Sequence, residues 1–182
     1  MAAAIENIMV TQAVTKLEEI FRAYQVCVLK AAYRVTGSMA DAEDVSQSVF
    51  LRLARGTFDS GRISNMESYL RRSAVNAALD LIRSRGDRET VPVETAHERQ
   101  SNSRVSPERA ASSLEINNWL RQQLAKLNPR AAEMFALRYL EGLDNPEIAR
   151  TMGTSQAVVA VTLHRTRARL KKGFHAFRKG AS

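Results

Sequence analysis

The sequence predicts an all-α protein of two small helical domains joined by a flexible linker. Three observations carry that expectation. Long runs rich in Ala, Leu, Arg and Glu favour helix, and only four prolines and eight glycines interrupt the 182 residues. No segment alternates apolar and polar residues over strand length between turn signals. A single polar stretch, residues 87–112, breaks the helical periodicity and divides the chain.

The first domain is expected over residues 11–86. A helix spans about 11–35, with Leu17, Ile20, Phe21, Tyr24, Val28 and Ala32 recurring at three- and four-residue steps on one face. Gly37 ends it. Ser38 starts a second helix, where Asp41 completes a capping-box spacing with Asp in place of Glu. Val45, Val49, Phe50 and Leu53 form its buried stripe, and Gly56 closes it. After a loop with two glycines, Ser64 or Asn65 caps a third helix that reaches about Arg85. Residues 87–112 hold two prolines, mixed charge and no sustained period. Such a composition does not repay the entropy of ordering, so it reads as a linker. His97 within it is expected to be solvated.

The second domain is expected over residues 113–178. Leu114, Leu120, Leu124 and Leu127 mark its first helix, with Trp119 beside them. Pro129 suits the first turn of the next helix, where no donor is lost. Asp144 and Glu147 have capping-box spacing around Pro146 and start a short helix that ends at Gly153. A longer basic helix begins at Thr154 or Ser155. Short helix, glycine turn and longer basic helix are the layout of a helix-turn-helix. Val159 and Leu163, four apart, are expected to pack inward, and Phe174 and Phe177 to extend or cap the last helix.

Composition narrows the function. Net charge is +8 and the pI about 10.1, which favours nucleic acid or anionic surfaces. After Glu147 no acid occurs, while Arg and Lys continue; acids gather around "DAED" at 41–44 and in the middle third. Two surfaces with different partners follow. One cysteine, Cys27, allows no intramolecular disulfide, and it reads as a small buried hydrophobe. No apolar run approaches a membrane span of about 20 residues, and the N-terminus has no basic region of a secretory signal. A cytoplasmic location is expected. The three histidines lie in different contexts, no His or Cys pair has metal-ligand spacing, and there is no phosphate loop or nucleophile elbow. No cofactor, no metal and no catalytic residue is therefore expected. The acids of "DAED" suit a helix N-terminus and surface contact.

The order of motifs resembles the bacterial extracytoplasmic function (ECF) family of RNA polymerase sigma factors, in the sigma-70 superfamily. In the first domain the matching residues are Tyr33-Arg34, Gly37, Ala42-Glu43-Asp44 with Gln47, Phe50-Leu51-Arg52-Leu53, and Asn76 with Asp80 and Arg83. In the second they are Leu127, Pro129, Arg130, Phe135, Leu137, Tyr139, Glu141-Gly142-Leu143, Glu147-Ile148-Ala149 and Met152-Gly153. The resemblance covers about residues 21–170. It implies a sigma-2-like bundle and a sigma-4-like helix-turn-helix domain, acting as an alternative sigma factor that binds core polymerase, recognises a promoter and helps melt it. The alternative is a helix-turn-helix regulator that acts without polymerase. It explains the second domain but not the acidic helix. A third possibility is an adaptor that titrates a regulator.

The resemblance assigns surfaces. Asp41, Glu43, Asp44 and Gln47 would meet the β′ clamp helices of core polymerase, where carboxylates suit arginines on a partner helix. Arg71, Arg72, Asn76, Asp80 and Arg83 would serve the minus-ten element. Among them Asp80 positions Arg83 or a nearby backbone group rather than touching DNA. The loop at 58–65 would help build a pocket for a flipped base. The linker would follow the RNA-exit path, where its mixed charge departs from the often acidic linkers of the family. The second domain would rest on the β-flap and read the minus-35 element through Ser155, Gln156, Thr162, His164, Arg165 and Arg167. An anti-sigma factor is a further implied partner.

The last helix departs from the family pattern. Ala160, Val161 and Thr162 stand where a cation, serine and arginine are usual. Each lost charged or bidentate contact would be worth about 1–3 kcal/mol. Three readings stand. Val161 and Ala160 could read thymine methyls; Arg165 and Arg167 could bind phosphates while DNA shape supplies specificity; or minus-35 affinity could be weak. The residue types favour the second, with Thr162 and His164 adding modest base-edge contacts.

Overall fold

The computed structural model describes residues 2–55, 65–86 and 107–180. Within them the chain forms seven α-helices and no strand. The all-α expectation holds.

Helix α1 (Ala2–Thr36) starts well before residue 11. The preceding segment is Ala-rich and contains neither Pro nor Gly, so nothing stops the helix there. It ends where expected. Gly37 takes a left-handed conformation with φ +70° and donates its N–H to the Tyr33 carbonyl at 2.7 Å. Helix α2 (Met39–Ala54) follows, capped by Ser38, whose hydroxyl accepts from the Asp41 N–H at 3.3 Å. Only half of the expected capping box forms, because the Asp41 carboxylate turns to another partner. Helix α3 (Met66–Gly86) is capped by Asn65, whose Oδ1 accepts from Ser68 N at 2.9 Å.

These three helices enclose one core. Val28, Ala31, Ala32 and Val35 of α1 meet Ala42, Val45, Val49 and Leu53 of α2 and Leu70, Ala74, Val75, Ala78 and Leu79 of α3. The alanines bring the helix backbones close, while the leucines and valines fill the space between them.

Helix α4 (Pro107–Ala125) begins six residues before the expected boundary at 113. Proline fits a first helical turn, and "ERAA" after it favours helix, so the end of the polar stretch is helical. Residues 87–106 lie outside the described part. Helices α5 (Pro129–Tyr139), α6 (Asn145–Met152) and α7 (Gln156–Gly180) complete the chain. Asn128 caps α5 through its side chain. Asp144 and Glu147 form the full capping box on α6, each bond 2.7 Å. Gly153 closes α6 in the left-handed region, with φ +59°.

Ile148, Ala149 and Met152 of α6 pack with Val159 and Leu163 of α7 and with Ala132, Phe135 and Ala136 of α5. Fully burying a side chain such as Ile148 contributes about 1.5–3 kcal/mol. Trp119 of α4 lies against Phe174 and Phe177 of α7, with ring centroids 5.3 and 5.8 Å apart. The long tail of α7 is thereby tied to α4. Helix α3 packs on one side against α1 and α2, and on the other against α4, α5 and α6. The helix expected to meet DNA is also the seam of the molecule.

Candidate nucleic-acid interfaces

The acidic start of α2 divides into two groups. Asp41 is buried and forms a bidentate ion pair with Arg85 at the end of α3, at 2.5 and 2.6 Å. It ties α2 to α3, so the structure gives Asp41 a structural role beside its expected place at a partner surface. Helical geometry explains this. The buried stripe of Ala42, Val45, Val49 and Leu53 draws the N-terminal turn inward, towards the cations at the C-terminal end of α3. Glu43, Asp44 and Gln47 are exposed. Asp44, Gln47 and Leu51 form one outward ridge at three- and four-residue steps. Leu51 is 54% exposed, an apolar anchor within a polar face. Its signal in the sequence is an apolar residue out of phase with the buried stripe.

On α3 the expected minus-ten residues are brought together, but around carboxylates of this same chain. Arg72 donates from Nε to Glu133 Oε1 at 2.5 Å and from Nη1 to the Thr151 carbonyl at 2.6 Å. Asn76 donates to the same Glu133 oxygen at 2.9 Å. The Glu133 side chain is only 10% exposed. Arg72 thus joins α5 to the last turn of α6, where the helix carries its partial negative charge.

The preceding residue, Arg71, pairs with Glu67 one turn earlier and lies 3.6 Å from Glu141. The Glu141 carboxylate, 1% exposed, also accepts from Arg34 of α1 through both oxygens at 3.1 Å. Burial lowers the Arg71 pKa. The Cys27 thiol, Glu141 and Glu67 raise it by more, so the guanidinium stays charged. Cys27 is half-buried. Glu133 was not singled out from the sequence, and Glu141 entered only through the Glu141-Gly142-Leu143 match, with no pairing role assigned to it. The signal that could have found them is the match of two acids in the second domain to the arginines of the first.

Asp80 and Arg83 pair at 2.9 Å, three residues apart on α3. Arg83 keeps Nε and Nη2 buried and without a hydrogen-bond partner among the described residues. Between the start of α3 and the α5–α6 turn lies a cleft of about 730 Å³, walled by Arg71, Arg72, Glu141 and Arg150. The loop at 58–64 lies outside the described residues.

The α6–turn–α7 unit has the geometry the sequence requires. Ser155 Oγ accepts from Val158 N at 3.3 Å and so caps α7. Val159, Leu163, Thr166 and Leu170 are buried, which fixes the inward face. Gln156, His164, Arg165 and Arg167 are exposed, as are Ala157, Val158, Ala160 and Val161. Thr162 is half-buried on the flank of the helix. The interdomain seam is formed mainly by α3 with α4, α5 and α6, joined by Arg34 of α1 on Glu141, and this face of α7 stays exposed.

Among the described residues no group of His, Cys, Asp and Glu could hold a metal ion. No described helix is long and apolar enough to cross a membrane.

Two family models match the chain: Sigma-70 region 2 over residues 20–88 and Sigma-70, region 4 over residues 117–170. The chain is 31% identical to the ECF RNA polymerase sigma factor SigW of Bacillus subtilis, over 82% of this chain and 81% of that protein. It is 29% identical to the ECF RNA polymerase sigma factor SigE of Mycolicibacterium smegmatis, over 85% of this chain but only 60% of that protein. Among solved structures, CnrH in complex with the cytosolic domain of CnrY has a TM-score of 0.53 at 22% identity, covering 93% of this chain and 96% of that one. That likeness is one of fold.

Proposed function

This chain belongs to the ECF RNA polymerase sigma factors of the sigma-70 family, which are transcription initiation factors, and from that membership we propose how its surfaces divide the work. The outward ridge of α2, with Glu43, Asp44, Gln47 and Leu51, docks on the β′ clamp helices of core polymerase. Exposed carboxylates around an apolar anchor suit a basic partner helix. Helix α3 receives the minus-ten element through Arg71, Arg72, Asn76 and Arg83. Helix α7 enters the major groove of the minus-35 element, with the second domain resting on the β-flap. The protein supplies no chemistry of its own and works in the cytoplasm, where its polymerase is.

The observation that carries this function is the face of α7. It is the second helix of a helix-turn-helix, its exposed cations face outward, and no acid follows Glu147. Neutralising phosphate is the common use of such a surface.

A DNA acceptor that takes the Arg72 and Asn76 donors now held by Glu133 competes with that carboxylate. A DNA phosphate is an anion of the same kind as the carboxylate it would displace, so the exchange preserves the charge balance at Arg72. The domains therefore part when polymerase and promoter engage. A partner that holds them together keeps the factor silent. The CnrH structure, held with the cytosolic domain of CnrY, is consistent with an anti-sigma factor in that role.

The test is in-vitro transcription with core polymerase on a pool of random promoters. Specific initiation, lost with Asp44→Ala or Arg72→Ala, supports the assignment. DNA binding without capture of core polymerase would identify a polymerase-independent regulator instead.

A further inference from the structure

The buried residues of α7 define its opposite ridge. Val159, Leu163, Thr166 and Leu170 face the core, so Ala157, Val161 and Ala168 lie furthest from it, with Val158, His164 and Arg165 beside them. Val158 is 46% exposed and Val161 49%. Neither is covered by the core, and the interdomain seam lies elsewhere. Two β-branched apolar side chains thus stand open to water in the first two turns of the helix that faces DNA.

Nothing in the folding of α7 requires them there. Valine is a poorer helix former than the Ala, Arg and Lys that occupy most of the exposed face. What valine offers is a stiff, preset apolar surface, because χ1 is restricted in a helix. The surrounding charge names the occupant. Arg165, Arg167 and Arg169 are exposed, and the helix contains no acid, so the face is suited to a polyanion. Within the major groove one base carries an apolar group, the C5 methyl of thymine. Valine against G, A or C would strip water from donors and acceptors without replacing their hydrogen bonds.

We propose that Val161, with Val158 beside it, is the specificity determinant of the upstream contact, reading thymine methyl groups, while Arg165 and Arg167 hold the helix on phosphates. This rests on the assignment of α7 to the minus-35 element. It departs from the sequence-based preference for shape readout assisted by Thr162. Thr162 sits half-buried on the flank, whereas Val161 points straight out. The minus-35 element should therefore place thymines, on either strand, opposite these two side chains.

The experiment selects duplexes from a random pool with the full chain, once bound to core polymerase and once alone. Each thymine of the selected element is then replaced by deoxyuridine, which removes the methyl and nothing else. One or two positions should lose roughly fourfold in affinity, the value of a single buried methyl-sized group. At the position facing Val161 the same replacement should have no effect in Val161→Ala, whose exposed position leaves the fold intact. Replacing a neighbouring cytosine by 5-methylcytosine should recover part of the loss. Deoxyuridine without effect in the wild type, an equal effect at every position in Val161→Ala, or selection of an element lacking thymine would each overturn the proposal. Methyl dependence in the chain alone, without polymerase capture, would keep the base reading and remove the sigma role. Polymerase-dependent initiation with no methyl dependence would do the reverse.

Discussion

Helices α3 and α7 both carry cations along one side, and both are assigned to DNA, yet they stand in opposite conditions. On α3, Arg72 and Asn76 converge on Glu133, and Arg71 lies by Glu141, so these side chains already hold carboxylates of the same chain. On α7 the outward face is open, and its centre is apolar. The difference teaches that cation spacing identifies a surface that wants an anion, not which anion it holds. A carboxylate from a neighbouring helix and a phosphate satisfy the same guanidinium.

The largest effect should come from the residue used on both sides of this exchange. Arg72→Ala removes charge-assisted bonds worth about 1.5–3 kcal/mol each, so promoter output should fall roughly ten- to hundredfold. Fluorescence transfer between labels on α2 and α7 should show the two domains loosened as well. An unchanged output would mean that α3 is only a seam.

Glu133→Ala should act in the opposite sense on DNA. It frees Arg72 and Asn76, and affinity for a single-stranded minus-ten oligonucleotide should rise by about tenfold. Arg72 is partly exposed, so solvent screening sets an upper limit on that gain. No change in affinity would show that the closed contact does not compete with DNA.

The acids of α2 provide a sharper contrast. Asp41→Ala should lower unfolding stability by about 1 kcal/mol, because it breaks a half-exposed bidentate pair. Asp44→Ala should leave the denaturation midpoint unchanged and weaken capture of core polymerase. The reverse pattern would give Asp41 the partner role alone.

The smallest effect is expected at Arg165. Its replacement by Ala should weaken upstream binding only a few-fold, equally for all sequences, and reduce the salt dependence by about one phosphate contact. A sequence-dependent loss would give Arg165 a base-reading role and blunt the contrast between the two helices.

Much of the architecture was legible beforehand because its signals are local. Gly37 and Gly153 mark helix ends through their left-handed backbone, and the Asp144–Glu147 box forms as spaced. The buried stripes of α2 and α7 follow their sequence period. Two boundaries were less legible. Helix α1 runs back to Ala2 because no breaker precedes residue 11, and α4 starts at Pro107 inside a stretch whose mixed composition reads as linker. The family resemblance placed the site residues on their helices. It could not distinguish Asp41, turned inward to Arg85, from Asp44 three residues on.

The sequence by itself determined the helices, their caps, the helix-turn-helix and the acid-free basic end, since each depends on residues within a few positions of one another. Only the tertiary structure decided which charged groups are free. Glu133 lies 61 positions from Arg72, and Glu141 lies 107 from Arg34. Pairings at that distance depend on how whole helices dock, and no local period encodes them. The same docking left Val158 and Val161 uncovered.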